Sequence, residues 1–411
     1  MRILMVNKFL WMHSGTERYM FDAARELRDA GHEIAYFGMD DPRNAEIEHR
    51  PYHVSPIDYR RADLRYRLRH AARIVGGTVY SFEARRKMAE LIRAFRPDVA
   101  HLHLFNHHIS PSILHALRDA GVPAVRTIHD FKLVCPNYSL YLRRRGEICE
   151  RCLGGSYHPC VLRRCVKDSL PGSVLAAGAQ YLHRALRIDE RHTDLFLCPT
   201  QFVADKLQEG DVPRRQLRRV PLTLDLAAYL PREDMDDYIV YAGRLLRDKG
   251  VGTLIRALAK LPRVRLLVAG DGEERGQFES LACRLGASNV EFLGFRPRDE
   301  LARIIGKSRF LVMPSEAYET CGLAVWEAFA LERPVVVSRR GGLPESVREG
   351  VTGLTFEPGN VDALAGCIEK LYSRAVLSRR MGKQGRAWVE KVQASHLDSL
   401  TNAYREARGL G

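Results

Sequence analysis

Short apolar runs alternate with amphipathic stretches along most of the chain. Residues 3–6 are continuously apolar and predict a buried strand. A turn through Ser14-Gly15-Thr16 follows, then an amphipathic helix over 18–30 that Gly31 closes. The same alternation predicts strands at 33–37, 99–104, 124–128 and 194–198. Helices are predicted at 88–95 and 113–120, with another from about residue 201. The second half repeats the rhythm. Strands are predicted at 239–242, 266–269 and 310–313, with helices at 251–261, 323–331 and 382–407. Strands separated by helices in this order read as α/β, with parallel, doubly wound sheets. At 411 residues the chain is long for one core and comfortable for two domains. The boundaries we expect are 1–222 for an N-terminal domain and 223–236 for a linker. A C-terminal domain would span 237–385, and a last helix, 386–411, would return to the first domain.

Within this frame a few polar residues sit where the pattern calls for apolar ones. Glu319 and Glu327 lie eight residues apart across the start of the predicted 323–331 helix. The helical neighbours of Glu327 are apolar, and a carboxylate on such a face is costly unless a polar partner meets it. Eight helical residues span roughly 12 Å, enough to hold two ends of one elongated ligand. Arg244 and Lys249 flank the junction between the 239–242 strand and the next helix. An Arg fork, a Lys point charge and a helix N-terminus together suit a diphosphate. Gly270-Asp271-Gly272 ends another buried strand, where glycines let backbone approach a ligand closely.

Taken in order, these segments resemble the retaining glycosyltransferases of family 4. The matching pieces are Gly243-Arg244 with Lys249-Gly250, Ala269-Gly270-Asp271-Gly272, Glu291-Phe292-Leu293-Gly294-Phe295 and the Glu319/Glu327 pair. Pro334-Val335-Val336-Val337, Gly341-Gly342-Leu343-Pro344-Glu345 and Thr352-Gly353-Leu354 complete the set. Gly31-His32-Glu33, Pro97-Asp98-Val99 and Thr127-Ile128-His129-Asp130 match more loosely in the first half. The resemblance implies a GT-B fold: two Rossmann-like domains facing a cleft, with a nucleoside-diphosphate sugar bound by the C-terminal one. Arg244 and Lys249 would neutralise the diphosphate, Glu319 would contact the transferred sugar, and Glu327 would accept from the ribose hydroxyls. Gly270, Asp271, Gly272 and Phe295 would also line the donor site, as would Cys321-Gly322-Leu323 through their backbone N–H groups. His129 would lie near the anomeric centre, and Gly15 resembles the phosphate-facing glycine of the first loop. The family pattern often has a glycine pair there, whereas this chain has Ser14-Gly15. The family reacts on one face, the donor phosphate helping to deprotonate the acceptor hydroxyl, and it needs no metal for catalysis. The acceptor it implies is a glycan or lipid-linked glycan of cell-surface polysaccharide synthesis. The competing readings are a GT-B epimerase or hydrolase of sugar nucleotides, and a non-catalytic basic protein that binds RNA or membrane.

Charge and cysteines add two expectations. The net charge is +14. It is concentrated in Arg60, Arg61, Arg65, Arg67, Arg69 and Arg73, and again in Arg143, Arg144, Arg145, Arg151, Arg163, Arg164 and Lys167. Such clusters suit either a solvated surface or an anionic membrane face near a lipid-linked acceptor. No nucleic-acid module accompanies them, so nucleic acid is not expected as a partner. No apolar run approaches the roughly 18–20 residues of a membrane span. We therefore expect a cytoplasmic protein, peripheral at most on the inner membrane face. Cys149, Cys152, Cys160 and Cys165 form a Cys-rich insertion at about 135–167. Their spacing opens like a zinc knuckle. A structural zinc, an iron–sulfur or redox role, and unligated thiols all remain open on sequence.

Overall fold

The computed structural model describes residues 1–45, 49–57, 63, 65 and 69–410. Arg60, Arg61 and Arg67 of the first basic cluster therefore lie outside the described residues. The chain forms two compact units. The first comprises Met1–Ser139, Glu150–Val220 and His396–Gly411, and the second comprises Leu140–Cys149 and Pro221–Ser395.

The apolar runs become strands much as the pattern predicts. In chain order they are β1 (Arg2–Val6), β2 (Glu33–Phe37), β3 (Val99–Leu102), β4 (Ala124–Thr127), β5 (Tyr141–Leu142), β6 (Glu147–Ile148), β7 (Leu195–Cys198) and β8 (Leu217–Arg219). The first unit arranges six of them as β2-β1-β3-β4-β7-β8, every pair parallel. Helices at Gly15–Asp29, Phe82–Phe95 and Ser112–Asp119 supply crossovers. Parallel strands need such connections, because a tight turn can only reverse the chain. The core is built from the strand interiors, such as Leu4, Val6, Ala100 and Leu102. Packed on them are the buried stripes of the helices, among them Met88, Leu91, Ile113 and Leu117.

The second unit carries β9 (Ile239–Ala242), β10 (Leu266–Ala269), β11 (Val290–Gly294), β12 (Leu311–Met313), β13 (Val335–Ser338) and β14 (Gly353–Phe356). Their order is β11-β10-β9-β12-β13-β14, again all parallel. Numbered within the unit this is 3-2-1-4-5-6, the Rossmann order, in which the connections reverse direction between the first and fourth strands. The two doubly wound parallel sheets expected from the sequence are thus present.

Several elements lie outside the predicted pattern, β8 among them. The antiparallel β5–β6 hairpin, inside the Cys-rich stretch, packs within the second unit. There Gly146 turns with φ of +70°, and a Cβ on it would stand 2.9 Å from the Arg247 guanidinium. Another is a helix at Leu170–Leu186, which follows the Cys-rich stretch and is not among the predicted elements. The C-terminal helix runs from Ala375 to Ala407, and from His396 onward it counts with the first unit.

Candidate functional site

Ligands of open α/β sheets sit beyond the carboxyl ends of strands where the connections reverse. In the second unit that place lies between β9 and β12. The segment after β9 holds Gly243-Arg244 and runs to Lys249-Gly250, while the segment after β12 holds Pro314 to Gly322. The two are fastened backbone to backbone. Glu316 and Ala317 donate their N–H groups to the Asp248 carbonyl at 2.9 and 3.0 Å. Gly250 has φ of +70°, and a Cβ there would fall 1.9 Å from the Pro314 oxygen, so only glycine fits. Thr253 Oγ1 adds a hydrogen bond to Glu316 Oε1 at 2.7 Å.

This clamp brings Lys249 and Glu319 together. Lys249 Nζ lies 2.6 Å from Glu319 Oε1, and Ser315 Oγ donates to the same oxygen at 2.7 Å. Both charged side chains are largely buried. A second clamp holds Glu319 from the other side. Gly342 donates its N–H to the Glu319 carbonyl at 2.7 Å, and a Cβ on Gly341 would meet that oxygen at 2.5 Å. Tyr241 sits beneath, its phenol donating to the Arg244 carbonyl at 2.8 Å. Burial, with Glu319 and Asp248 nearby, pushes the Tyr241 hydroxyl well above its ordinary pKa.

The other predicted donor residues fall around this pair in different ways. Gly270 and Gly272 stitch neighbouring strand ends. Gly270 donates to the Gly294 carbonyl at 2.9 Å, and a Cβ on Gly272 would stand 2.3 Å from the Leu245 oxygen. Arg244, Asp271 and Phe295 are exposed, Phe295 at 70%. Gly322 opens the Leu323–Ala330 helix with φ of +81°. The first N–H groups of that helix have no intrahelical acceptor. The Cys321 side chain turns inward. Its sulfur accepts from Trp326 Nε1 at 3.0 Å, and burial raises its pKa to about 11.

Glu327 departs most from expectation. It is 3% exposed, and Tyr229 Oη donates to Glu327 Oε1 at 3.1 Å. The polar partner required for a carboxylate on an apolar face thus comes from the linker. No local pattern around Tyr229 signals that role. Ser315 was also missed, although its place four residues before Glu319 was a usable signal.

In the first unit the connections reverse between β1 and β3. Asn7 follows β1, and its Oδ1 accepts the Leu104 N–H after β3 at 2.9 Å. Asn7 Nδ2 donates to buried Glu17 Oε1 at 2.9 Å, and Ser14 Oγ donates to Glu17 Oε2 at 2.6 Å. This cap starts the helix at Gly15. His129, after β4, is half-buried, and its Nε2 meets His103 Nδ1 at 2.9 Å. His101 Nε2 meets Thr127 Oγ1 at 2.7 Å, and His101 Nδ1 meets the Tyr404 hydroxyl at 2.8 Å. Burial lowers His101 and His129 to pKa values of about 3, helped by the neighbouring charges of His129 and His396 on His101 and of Arg126 on His129. These rings are neutral at pH 7. Among the described residues, no three His, Cys, Asp or Glu side chains are arranged to hold a metal ion.

The four cysteines form no such group either. Cys149 ends the β5–β6 segment, while Cys152 and Cys160 pack with Tyr157 and Ala177 in a small apolar cluster that Cys165 borders. The tetrathiolate set proposed from their spacing is not gathered here.

Comparison with known proteins agrees with this layout. Residues 13–228 match Glycosyltransferase Family 4, and residues 227–388 match Glycosyl transferases group 1. The chain is similar to the sulfoquinovosyl transferase SQD2 of Arabidopsis thaliana, 32% identical over 52% of this chain and 43% of that protein. It thus spans less than half the length of that curated relative. Its fold is similar to that of sucrose-phosphate synthase from Thermosynechococcus elongatus, with a TM-score of 0.74, 21% identity and 100% of both chains covered. It is also similar to Anabaena Alr3699/HepE in complex with UDP-glucose, with a TM-score of 0.68, 18% identity and 98% of each chain covered.

Proposed function

Because the chain belongs to glycosyltransferase family 4 and has the GT-B pair of parallel-sheet units, we propose that it transfers a sugar from a nucleoside-diphosphate donor to a hydroxyl acceptor. The observation that carries this reading is the Lys249–Glu319 pair, 2.6 Å apart at the reversal point between β9 and β12. Two opposite charges largely buried together are costly to desolvate, and stability alone favours apolar residues there. A ligand that takes a cation at one end and a hydroxyl-rich ring at the other gives both a use. In this reading the Lys249 ammonium and the exposed Arg244 guanidinium meet the diphosphate. Their charge offsets what builds on the leaving group as the glycosidic bond breaks. Glu319 accepts from hydroxyls of the transferred sugar, and the N–H groups at Cys321-Gly322-Leu323 face the phosphates. The exposed ring of Phe295 offers a surface for a nucleobase.

Retention of anomeric configuration belongs to the same proposal. Two carboxylates flanking the scissile bond would allow a double displacement. Glu327, buried against Tyr229, does not suit the second position. Attack on the face the diphosphate leaves, with a phosphate oxygen taking the acceptor proton, needs no second carboxylate. Neutral His129, in the first unit, would then serve as a hydrogen-bonding group for a sugar hydroxyl. The acceptor we propose is a glycan or lipid-linked glycan.

The test is a panel of UDP-, GDP- and ADP-sugars screened by thermal shift, followed by an assay of nucleoside-diphosphate release. A stabilising sugar nucleotide and release that rises with added acceptor are expected. Release independent of any acceptor would mark a hydrolase, and the absence of binding by every donor would defeat the reading.

A further inference from the structure

The helix Leu170–Leu186 is amphipathic in the wrong sense for water. Its polar side chains face the protein. Ser173 accepts from the Val166 N–H at 3.1 Å, Gln180 donates to the Leu133 carbonyl at 2.9 Å, and His183 Nε2 meets the Val79 carbonyl at 2.8 Å. Most of its large apolar side chains face outward, while the small Ala176, Ala177 and Ala179 pack inward. Leu170 is 46% exposed, Val174 51%, Leu182 43% and Leu186 50%. At the helical repeat these outward residues cover an arc of about 160° and a length of about 24 Å. No charged residue lies within that arc. A surface helix of a chain with 28% charged residues ordinarily carries them on its outer face. Just before the helix, Leu162 is 78% exposed.

Charge gathers at the two ends of this strip rather than along it. Residues 162–187 contain Arg163, Arg164, Lys167, Arg184 and Arg187 against the single acid Asp168. Arg164 and Lys167 are exposed before the helix, and Arg187 is exposed after it. A second copy of the same face fits poorly. Two such strips laid together, in either direction, bring cationic ends onto cationic ends. A flat anionic surface with an apolar layer beneath fits both features at once.

We propose that the outward face of the Leu170–Leu186 helix seats the protein on an anionic phospholipid membrane, the strip lying in the surface plane and the terminal cations meeting lipid phosphates. This docking stands apart from the donor chemistry, since none of its residues belongs to the second unit. Among the described residues no helix is long and apolar enough to cross a membrane, so the contact proposed is interfacial.

The test is co-sedimentation of the full chain with vesicles of phosphatidylcholine alone and of phosphatidylcholine containing phosphatidylglycerol, without donor or acceptor. Binding to the anionic vesicles, weakened by salt, is expected. A V174E/L182E double substitution should cut the bound fraction at least about tenfold. R164Q/K167Q should bring anionic vesicles down towards neutral ones. Both substituted pairs point outward, so an unchanged melting temperature and an unchanged donor-induced thermal shift would show that the fold and the donor site survive. Should V174E/L182E fold poorly, V174S/L182Q provides the milder reading. Failure of the native chain to bind either vesicle would overturn the proposal. So would equal binding by the variants, or a dimer in sedimentation equilibrium that V174E/L182E dissociates without any vesicle binding.

Discussion

The two units share a plan and differ in how they treat charge. Each is built on a six-stranded parallel sheet whose connections reverse once. At the reversal in the second unit the chain places a Lys–Glu pair, and the glycines Gly250 and Gly341 force the two loops against each other. At the reversal in the first unit it places Asn7 and His103, joined to a set of neutral histidines and hydroxyls. Charged groups suit gripping an anion; uncharged hydrogen-bonding groups suit orienting a sugar without competing for the phosphate. One fold plan therefore carries two kinds of polar site, one charged and one built of neutral hydrogen-bonding groups.

Removing the second unit's charge is the sharpest way to test the contrast. K249A is expected to lower turnover about 10³-fold, about 4 kcal/mol in transition-state terms, with E319Q close behind. A nucleoside-diphosphate release assay measures both, and a drop of less than about tenfold would break the proposed division of roles. G250A attacks the same site through the backbone. The positive φ and the 1.9 Å approach to the Pro314 oxygen should cost about 2–4 kcal/mol, read as a lower midpoint in urea unfolding.

Replacements in the first unit should separate binding from chemistry. H129N is expected to lower turnover about 10²-fold while leaving the donor-induced thermal shift intact. Loss of donor binding in that variant would erase the distinction between the units.

The neutral histidines also predict a pH dependence. Their folded pKa values lie below the ordinary 6.5, so on acidification the unfolded chain takes up protons first. Stability is complete above about pH 6.5 and declines as the pH falls toward about 3, by roughly 1.4 kcal/mol per pH unit for each such histidine. Melting temperatures from pH 7 to pH 4 measure this, and H129N should shallow the slope by one proton. The smallest effect is expected from C321S. Its side chain turns to Trp326 rather than to the strand ends, so stability should fall by about 1 kcal/mol or less and sugar preference should not change.

Most of the architecture was readable in advance because it depends on local periodicity. The strands at 33–37 and 239–242 appear as predicted, and the apolar run ending at Met313 forms β12. The helix over 323–331 appears as Leu323–Ala330. The candidate site was half readable. Arg244, Lys249 and Glu319 stand in the segments after predicted strands, yet nothing in their spacing said that Lys249 and Glu319 would pair with each other. Nor could it say that Tyr229, 98 residues away, would close over Glu327.

Along the chain, the order of apolar and polar residues was enough to specify which segments become strands and helices, since each depends on neighbours a few positions away. Folding in three dimensions settled the rest. It assigned Leu140–Cys149 to the second unit, packed Cys152 and Cys160 in a small apolar cluster of the first, and turned the polar side of Leu170–Leu186 inward. Those outcomes rest on which backbone carbonyls and N–H groups lie within about 3 Å of a side chain, and such distances exist only once distant segments meet.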